Sequence, residues 1–144
     1  MRIAIIDDEM YWRTTAEQVV SQHYSNVEVI IDTYESGEQY LNGKIKYDIS
    51  FVDIEMSGID GFETIEKARA YNPDGVYIIL TTHTEMSRKG YMVNAFRYID
   101  KINLADEMVE AMQSAELILG RNNKIEVSIL DVGVRKIVLK DIIY

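Results

Sequence analysis

The sequence of 144 residues contains no cysteine, which excludes disulfide bonds, thiolate metal sites and a thiol nucleophile. It also lacks a long apolar run near its start. In MRIAIIDDE a short apolar stretch ends at three acids, so we expect neither a signal peptide nor a membrane anchor. Both absences predict a soluble protein of the reducing cytoplasm that makes no contact with a membrane.

Positive charge is scarce as well. The chain has 15 Lys and Arg against 24 Asp and Glu, for a net charge of -9. The imbalance lies in residues 1–120, which hold ten basic and twenty-one acidic residues, whereas residues 121–144 hold five and three. The acidic part is therefore poorly suited to binding the phosphate backbone of a nucleic acid.

The chain is long enough for one domain with a buried core and too short for two, so we expect one domain with a short appendage. Runs rich in Ile and Val, typical of strands buried on both faces of a parallel sheet, lie at 3–6, 49–52 and 76–80. A more mixed run at 27–32 suits an edge strand, and a weaker fifth candidate lies at 95–99.

Between these runs, apolar residues recur at intervals of three and four, the spacing of an amphipathic helix. We predict helices at 10–24, at 35–42, from Gly61 to near Asn72, and from a cap at Thr84 to about 93. A last helix follows a cap at Asn103, and its apolar stripe consists of Leu104, Met108, Ala111, Met112, Ala115 and Leu119. This alternation predicts an α/β fold, with an open five-stranded parallel sheet and helices on both faces.

In such a sheet the ligand site lies beyond the carboxyl ends of the strands. The residues that directly follow the apolar runs are acids after the first and third strands, a hydroxyl after the fourth and an amine after the fifth: Asp7, Asp8, Glu9, Asp53, Thr81 and Lys101. Any one of them is ordinary in a polar loop. The combination of four strand ends is much more specific.

Carboxylates that converge at one edge repel each other, and a hard divalent cation with oxygen ligands relieves that repulsion. The sequence therefore predicts Mg²⁺ between Asp8 and Asp53. Lys101 and Thr81 could then hold the oxygens of a phosphoryl group during in-line transfer. A carboxylate that attacks phosphorus forms an acyl phosphate, so Asp53 is the predicted nucleophile.

Four segments of the chain resemble the response-regulator receiver family in order and spacing: IIDDE at 5–9, FVDIEMSGIDGFE at 51–63, ILTT at 79–82 and YIDK at 98–101. The resemblance covers residues 1–120 and implies a flavodoxin-like receiver fold with strand order 2-1-3-4-5. It also implies a non-enzymatic phosphoacceptor, in which a sensor histidine kinase phosphorylates Asp53 and the change switches an output, most often transcription.

The resemblance further implies a role for each residue of the site. Asp8 and the backbone carbonyl of Glu55 bind Mg²⁺ together with Asp53, and Asp7 helps through water. Thr81 and Lys101 contact the phosphoryl group. Tyr98 is the aromatic residue that rotates with activation.

The chain departs from the family pattern in three places. Ile102 follows Lys101 where the family commonly has proline, often after a cis bond; a cis bond to another residue costs about 2.5–4 kcal/mol, so we expect a trans bond and a different local loop. Ser57 and Gly58 replace the usual proline after the phosphorylated aspartate, which puts the rigidity of that loop in doubt. Thr82 is larger than the alanine often found there and could narrow access to the site.

Residues 121–144 change in pattern. KIEVSILDVGVRKIVLKDIIY reads as two β-like runs around a turn, and predicts a hairpin. The stretch resembles the start of a LytTR-type DNA-binding domain, here truncated, so we expect DNA binding only from a full-length effector domain and not from this fragment. Because an isolated hairpin is marginally stable, it should pack on the receiver, pair with another chain or be disordered.

A homodimer is a further possibility, through the face formed by the predicted fourth helix, fifth strand and fifth helix. Basic residues on that face could meet acids of a second molecule across a two-fold axis: Arg88, Lys89 and Arg97 with Asp106, Glu107 and Glu110. The alternative is a solvated face with weak salt bridges. The single tryptophan, Trp12, could report metal binding by its fluorescence if it lies near the acidic crevice.

Other functions compete with phosphoryl acceptance. A pseudo-receiver would bind a protein partner without phosphorylation, although the intact set of acids argues against it. An aspartyl phosphohydrolase would need a second aspartate two residues after Asp53, where this chain has Glu55, and a substrate cap. A calcium loop of the EF-hand type fails at its twelfth position, Thr64, and follows a strand instead of a helix.

Overall fold

The computed structural model describes residues 1–82 and 94–131, the last part of it, 121–131, by its backbone alone. Two compact units are present, Met1–Ala111 and Met112–Tyr144. The first unit contains the whole sheet and every residue predicted for the site. The predicted helix after Thr84, with Arg88 and Lys89, lies outside the described residues, and so does His83.

A five-stranded parallel sheet forms the first unit. Its strands are β1 (Arg2–Ile6), β2 (Ile30–Tyr34), β3 (Ile49–Asp53), β4 (Val76–Thr81) and β5 (Arg97–Asp100). Their order is β2-β1-β3-β4-β5, which confirms the predicted receiver order. In the register Ile6 lies beside Val52, Asp53 beside Leu80, and Thr81 beside Asp100. The carboxyl ends of the strands are therefore level along one edge.

The central strands are buried as their Ile- and Val-rich runs predicted. Every residue of β3 and β4 is buried, whereas the residues of β2, at the edge of the sheet, are exposed or half-buried. The sequence placed the start of β2 three residues too early and the start of β5 two residues too early. The apolar runs of both strands are mixed, so periodicity alone does not determine where they begin and end.

Within residues 1–82, three helices connect the strands from β1 to β4: α1 (Met10–His23), α2 (Gly37–Asn42) and α3 (Gly61–Tyr71). The side chain of Ser36 caps α2 by accepting from the Gln39 amide, and that of Asp60 caps α3 by accepting from the Glu63 amide. The α3 helix ends just before Asn72, as expected from Pro73, because proline disfavours helical geometry in the residue before it.

Helices pack on the sheet from both faces. One core cluster joins alternate sheet residues to residues of α2 and α3: Ala4, Ile6, Val52, Ile54, Tyr77 and Ile79 with Tyr40, Phe62, Ile65 and Ala68. On the other face Ile3 and Ile5 are fully buried, and α1, with Ala16 and Val20 buried, contacts β1 and β2. The alternation of side chains along each strand separates these two cores.

A 3-10 helix at Lys101–Asn103 follows β5 and leads directly into the C-terminal helix, Leu104–Asp131. The side chain of Asp100 caps the 3-10 helix by accepting from the Ile102 amide, and the C-terminal helix begins directly after Asn103, the predicted cap. Among the described residues every peptide bond is trans, as expected for Lys101 and Ile102.

The structure contradicts the prediction for the first run of the hairpin, because the C-terminal helix continues through residues 121–131. The run KIEVSIL alternates, but no glycine or proline interrupts it before Gly133. Adding residues to an existing helix is favourable, whereas a lone hairpin is marginal, and this difference favours the helix. The second run, 132–144, lies outside the described residues.

Candidate functional site

The predicted acid, hydroxyl and amine groups meet at the carboxyl edge of the sheet. Asp7 and Asp8 follow β1, Asp53 ends β3, Thr81 ends β4 and Lys101 follows β5. Because the strands are parallel and level, residues far apart in the chain become neighbours. The sequence prediction of a single cluster at this edge is confirmed.

Three carboxylates form the acidic part of the site. One oxygen each from Asp7, Asp8 and Asp53 lies within 4.8 Å of the other two. Asp7 is fully buried, Asp53 is 6% exposed, and Asp8 faces solvent. Buried carboxylates at this spacing require positive charge nearby.

The ammonium group of Lys101 supplies part of that charge. It donates to Asp7 Oδ2 at 2.7 Å and to Asp53 Oδ1 at 3.1 Å, and the residue is 5% exposed. Three carboxylates and one ammonium still leave two negative charges when all four groups are ionised. A divalent cation would balance them.

Burial, aided by repulsion from Asp7, raises the pKa of Asp53 to about 7, although Lys101 opposes the shift. For Lys101, burial works against the charged form, but hydrogen bonds and attraction from Asp7 and Asp53 outweigh it and raise its pKa. The Lys101 ammonium therefore stays charged while the Asp53 carboxyl loses its proton near neutral pH.

Asp7 is fixed by the start of α1. The backbone amide of Glu9 donates to Asp7 Oδ1 at 2.9 Å, and the guanidinium of Arg13 donates to the Asp7 carbonyl at 2.8 Å. Arg13 also forms an ion pair with Glu35 at 3.6 Å. The sequence did not predict Arg13; its only signal was its place one helical turn beyond the acids.

The loop after Asp53 is held by close packing. The Gly61 amide donates to the Ile54 carbonyl at 2.9 Å, and a Cβ at Gly61 would lie 2.3 Å from the Asp53 carbonyl oxygen. Gly58 has φ of +81°, and the Glu38 carboxylate accepts from the neighbouring Ile59 amide at 3.2 Å. The close packing of Gly61 and the hydrogen bond of Glu38 thus hold this loop in place, although it lacks the proline that is usual in the family.

A pocket of about 110 Å³ opens at the cluster, and its lining consists of Asp8, Glu9, Trp12, Asp53, Glu55, Thr81, Thr82 and Lys101. Glu55, Thr81 and Thr82 were expected here, and Trp12 lies near the acids as its use as a reporter requires. The pocket volume is several times the roughly 30 Å³ of a liquid water molecule, so a hydrated ion or a phosphoryl group fits.

Tyr98 lies on β5, outside the pocket lining. It packs against the α2 and α3 core cluster, and its hydroxyl is buried without a hydrogen-bond partner in the described part of the chain. Burial raises the pKa of this hydroxyl. Nearby, Arg97 forms an ion pair with Glu110 of its own chain at 3.9 Å, so these two charges of the predicted dimer face already have partners.

None of the helices in the described ranges is both long enough and apolar enough to cross a lipid bilayer. In comparison with known proteins, the family model of the response regulator receiver domain matches residues 3–113. This match covers all of the sheet except Arg2, and all of the site.

Two curated relatives illustrate the range of similar proteins. Chemotaxis protein CheY of Listeria monocytogenes is 29% identical over 122 residues, which cover 80% of this chain and 98% of that protein. The positive alginate biosynthesis regulatory protein of Pseudomonas aeruginosa is 26% identical over 132 residues, 90% of this chain and 51% of that protein.

The sensory transduction protein LytT of Enterococcus faecalis is 26% identical over 123 residues, 84% of this chain and 50% of that protein. The chain thus spans about half the length of the alginate regulator and of LytT. Among solved structures, response regulator protein TrrA of Thermotoga maritima in complex with Mg²⁺ and BeF has a TM-score of 0.69 and 29% identity, covering 79% of this chain and 97% of that one.

Proposed function

The chain belongs to the response regulator receiver domain family, and on that premise we propose that Asp53 accepts a phosphoryl group from a sensor histidine kinase and so switches an output. The observation that carries the proposal is the buried contact of Lys101 with both Asp7 and Asp53. This contact brings the proposed nucleophile, an ammonium group and a second buried carboxylate together at the carboxyl edge of the sheet.

Mg²⁺ fits the donor set of this pocket, because three carboxylate oxygens converge and oxygen ligands are the ones that this ion prefers. Asp8, Asp53 and the backbone carbonyl of Glu55 would hold the ion, and Asp7 would act through water. When bound, Mg²⁺ neutralises negative charge on the transferring phosphoryl group.

In the transfer itself, an oxygen of the Asp53 carboxylate forms a bond to phosphorus as the bond from phosphorus to the donor nitrogen of the kinase histidine breaks. The product is an acyl phosphate on Asp53 and a free histidine on the kinase. Lys101, with its charge, and Thr81, with its hydroxyl, then contact phosphoryl oxygens. Hydrolysis in the same pocket reverses the signal, without turnover of any other substrate.

The proposed output is argued from the position of Tyr98 and from the proteins to which this chain is similar. Rotation of Tyr98 with phosphorylation would carry the change to the surface around β5, where a homodimer is one possible readout. LytT is named a sensory transduction protein and the alginate regulator a regulatory protein of biosynthesis. We propose transcription through a LytTR-type effector domain, in the cytoplasm, as the corresponding output here.

Intact mass after incubation with Mg²⁺ and a small acyl phosphate tests the proposal. We expect the wild type to gain one phosphoryl group and Asp53→Asn to gain none. Asp74→Asn, which changes an exposed aspartate outside the pocket, is the control and should gain as the wild type does. A gain by Asp53→Asn would mean that another residue is the acceptor.

No gain in a folded wild type that binds Mg²⁺ would instead favour the pseudo-receiver, which binds a partner without phosphorylation. Turnover of a phosphate ester by the purified chain would favour a phosphohydrolase.

A further inference from the structure

We propose that Trp12 is a positioning residue for phosphoryl transfer, because its indole ring holds the Lys101 ammonium group at the wall of the pocket. The inference rests on the proposed function, since Lys101 takes part in the reaction only if Asp53 is phosphorylated.

The contact is between the ammonium nitrogen and the ring. Lys101 Nζ lies 5.1 Å from the ring centroid of Trp12, within the range of a cation-π interaction. The same nitrogen donates one hydrogen bond to Asp7 and one to Asp53. A lysine ammonium has three N–H groups, so the ring is a third neighbour of a nitrogen already held on two sides.

Burial strengthens this interaction. The Lys101 side chain is 4% exposed and has therefore lost most of its hydration. Tryptophan attracts cations more strongly than the other aromatic residues, and the attraction grows when the cation is desolvated. Trp12 also lines the pocket, so its ring is present where the phosphoryl group would enter.

The start of α1 fixes where the ring lies. Arg13, the next residue, donates from its backbone amide to the Glu9 carbonyl at 3.1 Å and from its guanidinium to the Asp7 carbonyl. These bonds tie the first turn of α1 to the end of β1. Trp12 is thereby placed by the same segment that places the acid pair.

Positioning matters during the exchange of hydrogen bonds. Before transfer Lys101 contacts Asp53 directly, whereas afterwards it must contact an oxygen of the phosphoryl group. A nitrogen held by Trp12 and Asp7 stays beside Asp53 while that hydrogen bond is remade. Without the ring, the flexible lysine chain would sample more positions and be in place less often.

Fluorinated tryptophan separates the electrostatics of the ring from its shape. The chain has one tryptophan, so biosynthetic replacement alters Trp12 alone. Fluorine withdraws electron density from the ring face and changes its size little. We expect the rate constant for phosphorylation by a small acyl phosphate to fall stepwise with added fluorine, by about 2- to 30-fold in total. A rate that is constant across the series would overturn the inference.

Trp12→Phe and Trp12→Leu form a matched pair, because both are smaller than tryptophan but only phenylalanine presents a ring face. We expect Trp12→Phe to react faster than Trp12→Leu at equal occupancy of Mg²⁺. Equal rates for the two variants would mean that Trp12 is only a wall of the pocket, and would overturn the cation-π role. Because the fluorinated proteins keep the native side-chain shape, the result does not depend on either variant folding.

The same experiment distinguishes the two proposals. A wild type that never gains a phosphoryl group contradicts the proposed function and removes the role of Trp12 with it. A wild type that reacts at a rate independent of the ring overturns only the inference about Trp12.

Discussion

At the scale of single residues, the site balances one ammonium group against three carboxylates. Lys101 neutralises part of the charge of Asp7 and Asp53, but burial, aided by repulsion from Asp7, still makes ionised Asp53 unfavourable in the absence of metal. The residue that the proposed reaction needs is thus also one that destabilises the fold when it is ionised. Two predictions follow from that conflict.

The first prediction concerns pH. The pKa of Asp53 is raised from 3.8 in the unfolded chain to about 7 in the folded one, so between these values the folded state binds more protons. The contribution of Asp53 to the free energy of unfolding therefore falls as pH rises from 4 to 7 and is constant above that. Urea unfolding of metal-free protein should show Asp53→Asn more stable than the wild type at pH 8, by about 1–3 kcal/mol.

Asp74→Asn serves as the control, because this aspartate is exposed. The two variants should differ at pH 8 and converge with the wild type near pH 4. An Asp53→Asn variant that is less stable than the wild type at pH 8 would contradict the prediction.

The second prediction concerns the metal. The proposed Mg²⁺ site is assembled only in the folded state, so at 100 times its Kd the ion should stabilise the protein by about 2.7 kcal/mol. Asp8→Asn should lose most of this gain, and Trp12 fluorescence should follow the binding in the wild type. Equal stabilisation of both proteins, with ionic strength matched by Na⁺, would show that the ion binds elsewhere.

At the scale of elements, the strand ends place the site and a glycine fixes the loop between β3 and α3. Gly61 lies so close to the Asp53 carbonyl that any side chain would press on backbone atoms, which cannot swing aside as a flexible side chain can. Asp53, the proposed acceptor, is thereby packed against the first turn of α3.

Gly61→Ala should therefore destabilise the protein by about 1–3 kcal/mol and slow phosphorylation of Asp53. Gly120→Ala is a matched control on the C-terminal helix, because a Cβ there meets nothing within 4 Å. Alanine at that position should leave stability unchanged or raise it slightly, since alanine favours helix. Thermal unfolding and intact mass would check both variants, and equal behaviour of the two would refute the packing argument.

Elements also show where sequence reasoning succeeds and where it fails. The runs rich in Ile and Val predicted β3 and β4, and the ends of the predicted strands placed Asp53, Thr81 and Lys101 in the site. The contacts of Arg13 and Glu38 depend on the direction of their side chains. No periodic pattern in the sequence predicts such contacts. The run after Gly120 fits both a strand and a helix. Residues 121–131 are helical, because extending an existing helix is favourable even where polar and apolar residues alternate.

At the scale of the whole molecule, every residue of the site belongs to the first unit, Met1–Ala111. We expect a chain that ends at Gly120 to be phosphorylated at a rate within about twofold of the longer chain, as the domain boundary proposed near residue 120 requires. Phosphorylation kinetics and circular dichroism of the two chains would test this. A folded short chain with a much lower rate would place part of the active unit beyond Gly120.

The distance along the chain between Asp7 and Lys101 has a consequence for synthesis in the cell. Ninety-four residues separate the two ends of their ion pair, and these groups meet only when the first and last strands lie in one sheet. In a nascent chain on the ribosome, or in a chain cut by a protease within the sheet, Asp53, the proposed phosphoryl acceptor, would be exposed without Lys101. Signalling would then be reserved for molecules that have finished folding.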